Sequence, residues 1–482
     1  MNNALVVKPA PAAYWILLAI PLVSCTVTAA VPPSGQALSD QKVMFAVEGQ
    51  LERDDAVVSG LLDVQVQDGI VTLTGEQDDL LAKTRAGGIA EAVKGVRSVV
   101  NRITLEPPTQ TDVEIQTAVH NALQDDAGTT AFPIEVHVSK GIVILTGVVN
   151  SWKTGRLATE VAEGVSDVRE VDNKLTSAPL TSPPPDTLIQ ADVLARLQAD
   201  AWLDPGLITV NVQKGRVTLG GAVGSAFEKS RAFYDSWVAG VIAVIDEALD
   251  VQWWARDAMR RKGDAASPSK SALEKSIQAA LEDDPRVQSF HLHILVEDHQ
   301  ATLSGIVDNL RAKQAAGQDA VNTWGVTEVQ NYIKVRPVQR WKDANLTQRV
   351  RETLRQDPYL ADDEIRVYVR HGVVYLTGGT ASRFERLRAE DVATRIKGVV
   401  DVRNQIIPSY GQPPKSDREL KADILTYFLW DPRADRDVHV SVKDGMATLT
   451  GSISSWTARE AAEKHAYDGG ARNVFNDLII KP

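Results

Sequence analysis

The sequence predicts an α+β protein made of six tandem small αββαβ domains, each a three-stranded mixed sheet packed on two helices. Three observations carry that expectation. The stretch VQVQDGIVTLTG, Val64 to Gly75, alternates apolar and polar residues through an Asp-Gly pair, and such a pair between two period-two runs is a strong hairpin signal because the turn needs positive φ. The same pattern returns in HVSKGIVILTG, NVQKGRVTLGG, VEDHQATLSG, YVRHGVVYLTG and SVKDGMATLTG. The closing glycines, Gly75, Gly147, Gly221, Gly305, Gly378 and Gly451, are 72, 74, 84, 73 and 73 residues apart, which is a domain period rather than a solenoid period.

Each element can be justified in chain order. A helical pattern precedes every hairpin and ends in Leu or Phe with Asp three residues later: Leu51/Asp54, Leu123/Asp126, Leu197/Asp200, Leu281/Asp284, Leu354/Asp357 and Phe428/Asp431. Asp there suits a helix end and turn better than chemistry. The hairpin turn falls on Gly69, Gly141, Gly215, Gly372 and Gly445, with His299 in the fourth unit. A second helix rich in Ala, Glu and Arg follows, as in ASRFERLRAEDVATRI. A closing strand then brings Gly-Val and Val-x-Asn, placing Asn101, Asn173, Asn331, Asn404 and Asn476 in register, with Asp246 in the third unit. Some 65 to 70 residues is near the lower limit for a self-supporting core, so contacts between neighbouring units are expected to help.

Proline clusters at 107–111, 181–186 and 408–414 mark joints. Pro-rich joints are semi-rigid spacers, so the reading at this level is a chain of units that is partly extended or curved, not one globule. The units run 39–105, 111–176, 186–251, 270–335, 341–407 and 415–482, with a linker at 252–269 that contains Trp and Arg.

VxxDGxVxLTG, the amphipathic second helix and the closing GVxxVxN together resemble the BON domain, a family named for bacterial osmotically induced periplasmic proteins and nodulation proteins. The resemblance covers six segments and nearly everything after residue 38. It implies a non-enzymatic protein linked to envelope integrity, osmotic stress and, in some members, anionic phospholipid. The third unit departs most, with VTLGG and DEALDV in place of the usual endings.

The N-terminus carries an apolar run from Tyr14 to Val23 and then Cys25, the only cysteine in 482 residues. The run is too short for a span of ~20 residues and suits a signal peptide over 1–24. Leu22-Val23-Ser24-Cys25 resembles a lipoprotein lipobox, which implies lipidation of Cys25, a tether over 25–38 and outer-membrane anchoring. The alternative is a plain secretory signal cut near Thr28-Ala29-Ala30, giving a soluble periplasmic product. One cysteine leaves no intramolecular disulfide. The chain has 52 basic and 63 acidic residues, net −11, which disfavours nucleic acid as a general partner. Unit 5 alone is basic, with 12 Lys and Arg against 10 Asp and Glu.

Candidate binding residues follow from charge and aromaticity. Trp253 and Trp254 beside Arg256, Arg260, Arg261 and Lys262 suit a lipid interface; they equally suit a core closed by the tryptophans with a solvated linker. Arg349, Arg351, Arg355, Arg383, Arg386 and Arg388 of unit 5 offer forks for phosphate, although interspersed Glu352, Glu385 and Glu390 allow ordinary helix-surface pairing. Trp152, Phe227, Phe384 and Trp456 begin second helices and suit core or joint packing, whereas Trp430 is expected to be more exposed. His291 and His293 share a strand face that should be open. No nucleophile elbow, Walker loop or zincin motif occurs, and neither metal nor cofactor is expected. The function expected is binding of phospholipid, anionic species favoured, or of envelope partners at several weak sites. A structural spacer and a chaperone-like protectant are the alternatives.

Overall fold

A computed structural model describes residues 38–481 except 204, 256–266, 288–289, 340, 361–363, 410–414 and 432–436. The signal segment with Cys25, and Arg256, Arg260, Arg261 and Lys262, lie outside the described residues.

Six modules follow one plan. The first helices are Asp40–Glu52, Asp112–Asp125, Asp186–Ala199, Lys270–Asp283, Asp343–Arg355 and Asp417–Trp430. The second helices are Leu80–Glu91, Trp152–Glu163, Ala226–Asp235, Leu310–Val321, Arg383–Thr394 and Trp456–Asp468. In module 5 the strands are Arg366–Arg370, Val373–Thr380 and Asp401–Pro408. The first two pair antiparallel and the third lies parallel to the middle one, the parallel crossover being supplied by the second helix. Module 3 keeps the plan despite its divergent ending.

The hairpins turn through two residues of positive φ, Asp68 (51°) and Gly69 (74°) in module 1, the geometry that matches the twist of the flanking strands. A carboxylate at the start of the first helix then clamps the turn in five of the six modules. Asp40, Asp112, Asp186, Asp343 and Asp417 each accept both turn N–H groups, as in Asp343 from His371 (2.9 Å) and Gly372 (3.1 Å). Module 4 has Lys270 at that place, and its turn residues Asp298 and His299 both hold positive φ without glycine. The glycine ending each hairpin sits at positive φ, and in five of the six a Cβ would collide with the carbonyl of a residue just before the first strand, that of Leu61 at Gly75.

The modules do not form a string. Residues 37–482 are one compact unit, which corrects the extended arrangement expected from the proline joints. The joints are short enough to hold neighbours at high local concentration, and the helical side of each module carries groups that only another module satisfies. The first residue of the second helix is the recurrent contact. Leu80 of module 1 packs in the core of module 2. Trp152 of module 2 stacks on Trp237 of module 3 at 4.7 Å, with Phe233 and Tyr234 edge-on. Ala226 of module 3 lies in the core of module 1 and donates its N–H to Val96 (3.3 Å). Leu310 of module 4 packs in the core of module 5, and Arg383 of module 5 covers the Tyr467 ring of module 6 at 3.4 Å.

A second recurrent contact joins the modules in three other pairs. The residue before the turn that follows the second helix donates its N–H to the residue before the helix-end Asp of another module: Lys94 to Trp430 (2.9 Å), Ser166 to Gln356 (3.2 Å) and Trp324 to Ala199 (2.7 Å). These join modules 1 and 6, 2 and 5, and 3 and 4.

Candidate functional site

Packing on the helical side removes most of the helix-borne candidates from solvent duty. Arg349 pairs with Asp125 of module 2 and lies over Trp341 at 4.5 Å. Arg388 pairs with Asp357 (2.8 Å) and Asp391 (3.7 Å), Arg383 covers Tyr467, and Arg351 and Arg386 donate to the carbonyls of Val367 (3.0 Å) and Asn404 (3.4 Å). Arg351 and Arg355 remain exposed on the last turns of their helix. Trp430, expected to be exposed, is half-buried against the core of module 1, because its helix end is the seam between modules 1 and 6. Trp254 packs on the core of module 3, and Trp253 lies 5.9 Å beneath the Lys94 ammonium of module 1; neither ring projects free of the fold.

Two sets of residues passed over as turn and edge positions prove to be internal locks. The helix-end Asp, buried in module 3 and module 5 and half-buried in module 1, accepts from an arginine 31 residues on: Asp54 from Arg85 (2.6 Å), Asp200 from Arg231, and Asp357 from Arg388. Asp284 uses Arg286 instead, and Asp431 uses His465 (2.6 Å). The closing-strand Asn donates to a carbonyl of the second helix, as Asn101 to Lys83 (2.7 Å) and Asn404 to Arg386 (2.7 Å), while its own oxygen accepts an N–H two residues on. Asp246 of module 3 replaces that lock with a contact to Lys229 at 3.9 Å. The spacing of 31 was available in the sequence; only the fold reveals that it spans the space between two helices.

Burial sets the protonation of several such acids. It opposes ionisation of Asp391, but Arg395, Arg311 and Arg388 outweigh it and hold that carboxyl well below the usual range. Burial pushes Asp235 and Asp319 up, with Asp200 and Asp284 adding repulsion. Half-buried Asp112 and Asp343 are lowered by the turn N–H groups from which they accept.

What faces outward is the open side of each sheet. Alternate residues of the first strand are exposed in all six modules. Modules 1 and 2 present Asp63, Gln65 and Gln67, and Glu135, His137 and Ser139; modules 3 and 4 present Thr209, Asn211 and Gln213, and His293, Leu295 and Glu297. Module 6 presents His439, Ser441 and Lys443, whereas module 5 presents Arg366, Tyr368 and Arg370. Across module 5 the register runs Tyr368, Tyr375, Arg403. The two tyrosine rings are 6.0 Å apart and tilted by 41°. Tyr368 is 61% and Ile407 75% exposed. Arg403 touches Asp401 at 2.9 Å and remains 64% exposed. Three guanidinium groups, two phenols and an aliphatic edge thus share one surface of the only basic module. The signal was the alternation in RVYVR; attention to helical arginine clusters missed it.

Other concavities and clusters offer less. A recess between modules 1 and 6 is lined by Tyr427, Trp430, Asp54, Asp431 and Asp468, but those carboxylates are met by Arg85, His465 and Lys464. Among the described residues no group of three or more His, Cys, Asp or Glu could hold a metal ion, and His291 and His293 are both exposed. No described helix is long and apolar enough to cross a membrane.

Comparison with known proteins points one way. The BON domain model matches residues 39–107, 111–179, 185–249, 269–337, 342–407 and 416–482. The chain is 28% identical over 142 residues to Osmotically-inducible protein Y of Escherichia coli, covering 28% of this chain and 71% of that protein. It is 26% identical over 144 residues to Outer membrane lipoprotein DolP of Haemophilus influenzae, covering 29% and 74%. Among solved structures, the C-terminal domain of CdsD, a structural protein of the type III secretion system of Chlamydia trachomatis, aligns over 45% of this chain and all of that one, at 16% identity and a TM-score of 0.12; that score carries no argument.

Proposed function

The chain belongs to the BON-domain family, six copies in tandem, and from that premise we propose that it is a non-enzymatic binding protein of the bacterial cell envelope. Its relatives by name are an osmotically inducible protein and an outer membrane lipoprotein, which supports a periplasmic role in envelope maintenance or osmotic stress. Lipidation of Cys25 would place it at the outer membrane.

The finer reading is contact with anionic phospholipid through the outward sheet face of module 5. The observation that carries it is Arg366, Arg370 and Arg403 around Tyr368 and Tyr375 on one exposed surface. Guanidinium groups bind phosphate by paired N–H donors, and tyrosines sit well at a headgroup layer with the ring in and the hydroxyl out. A spacer gains nothing from six modules folded back on one another, so binding is favoured over spacing.

The test is flotation of residues 26–482 with vesicles of neutral or anionic phospholipid at low and high salt. Salt-sensitive binding to anionic vesicles is expected. Each arginine is worth about 1 kcal/mol near such a surface, so Arg366→Gln/Arg370→Gln/Arg403→Gln should weaken binding roughly a hundredfold. Unchanged binding by the triple variant would move the site elsewhere, and no binding by the parent chain would overturn the lipid reading.

A further inference from the structure

We propose that the six modules are two three-module rings, residues 39–255 and 269–482, docked on one another, and that each ring is a sufficient partner for the other without the covalent joint between them.

The two recurrent contacts carry this. The first residue of the second helix runs from module 1 to 2 through Leu80, 2 to 3 through Trp152, and 3 back to 1 through Ala226. That circuit is closed within the N-terminal half. In the C-terminal half the same residue runs from 4 to 5 through Leu310 and from 5 to 6 through Arg383. On this proposal the matching return step, from module 6 to module 4, falls to Trp456, which begins the second helix of module 6.

The backbone contact obeys the other half of the pattern. It joins 1 to 6, 2 to 5 and 3 to 4, always one module from each ring. A further set crosses the same seam: Tyr359 donates to the carbonyl of Ala56 (3.3 Å) and Arg85 lies 4.5 Å from Phe384, joining 1 and 5, while Lys153 pairs with Asp283, joining 2 and 4. Directed contacts around two trios, with paired contacts between them, are those of six subunits with one threefold axis and three perpendicular twofolds. Here one chain supplies all six.

Chain length supports the division. Five intervals separate the closing glycines, four of 72 to 74 residues and one of 84. The long interval lies between modules 3 and 4, where the chain passes from one ring to the other.

The experiment uses the full chain with a site-specific protease sequence inserted between residues 260 and 261. After cutting, the two pieces are run by size exclusion at about micromolar concentration in native buffer. Co-elution at the mass of the uncut chain is expected. Arg349→Asp, which breaks the pair with Asp125 across the seam, should raise the dissociation constant of the cut pieces at least tenfold, and adding Asp125→Arg should restore most of the loss. The uncut Arg349→Asp chain serves as the folding control. Pieces that separate or precipitate on cutting would overturn the proposal. So would an Arg349→Asp effect that Asp125→Arg leaves unrepaired.

Discussion

At the scale of single residues the modules are held by carboxylates that have lost their water. Asp357 is buried and is answered by Arg388. Removing one partner of such a pair leaves an uncompensated charge, which costs about 3–5 kcal/mol. Arg388→Ala should therefore lower the unfolding free energy of the chain by that order, measured by urea denaturation. The turn clamps respond to pH instead. The turn N–H groups stabilise the charged form of Asp343 and lower its pKa, so its contribution is present above the unfolded value of about 3.9 and is lost as pH falls through the folded value. The variant Asp343→Asn should melt below the parent at pH 7, and the gap should narrow as pH falls from the unfolded value of about 3.9 through the lower folded value. A gap that is constant with pH would contradict the clamp.

At the scale of elements the sequence was legible wherever the period was regular. Alternation around Asp68 and Gly69 located the hairpin, and the positive φ required there is present. The helices and the parallel third strand followed from the repeat. What sequence spacing concealed was the clamp 28 and 29 residues upstream, joining Asp40 to Asp68 and Gly69, because nothing local tells a helix-start Asp that reaches a turn from one that faces water. Module 4 supplies the test, since it has Lys270 where the others have Asp. An acidic residue in the first turn also meets the helix dipole, so Lys270→Asp should stabilise by about 0.3–1 kcal/mol; a lower melting temperature would show that the clamp does not transfer. The binding candidates were legible only in part. Arginine counts located module 5, but which arginines face outward depends on the packing of Arg349 and Arg383 against other modules, and a single unit's sequence carries no trace of that.

At the scale of the whole molecule, apolar cores within modules are joined by aromatic stacking and ion pairs between them, and the sheets are left to face the surroundings. Trp152 stacked on Trp237 ties consecutive modules 2 and 3, and the Lys94 N–H on the Trp430 carbonyl ties modules 1 and 6 at the two ends of the array, so proline joints that would space free units instead steer units into place. That closure decides which surfaces remain for a partner, and it is the claim on which the rest stands. Small-angle scattering from residues 26–482 in dilute solution tests it most directly. A closed body of this length has a radius of gyration of about 22 Å, and the account predicts that value; an open string of six modules would give roughly 40 Å and would contradict it.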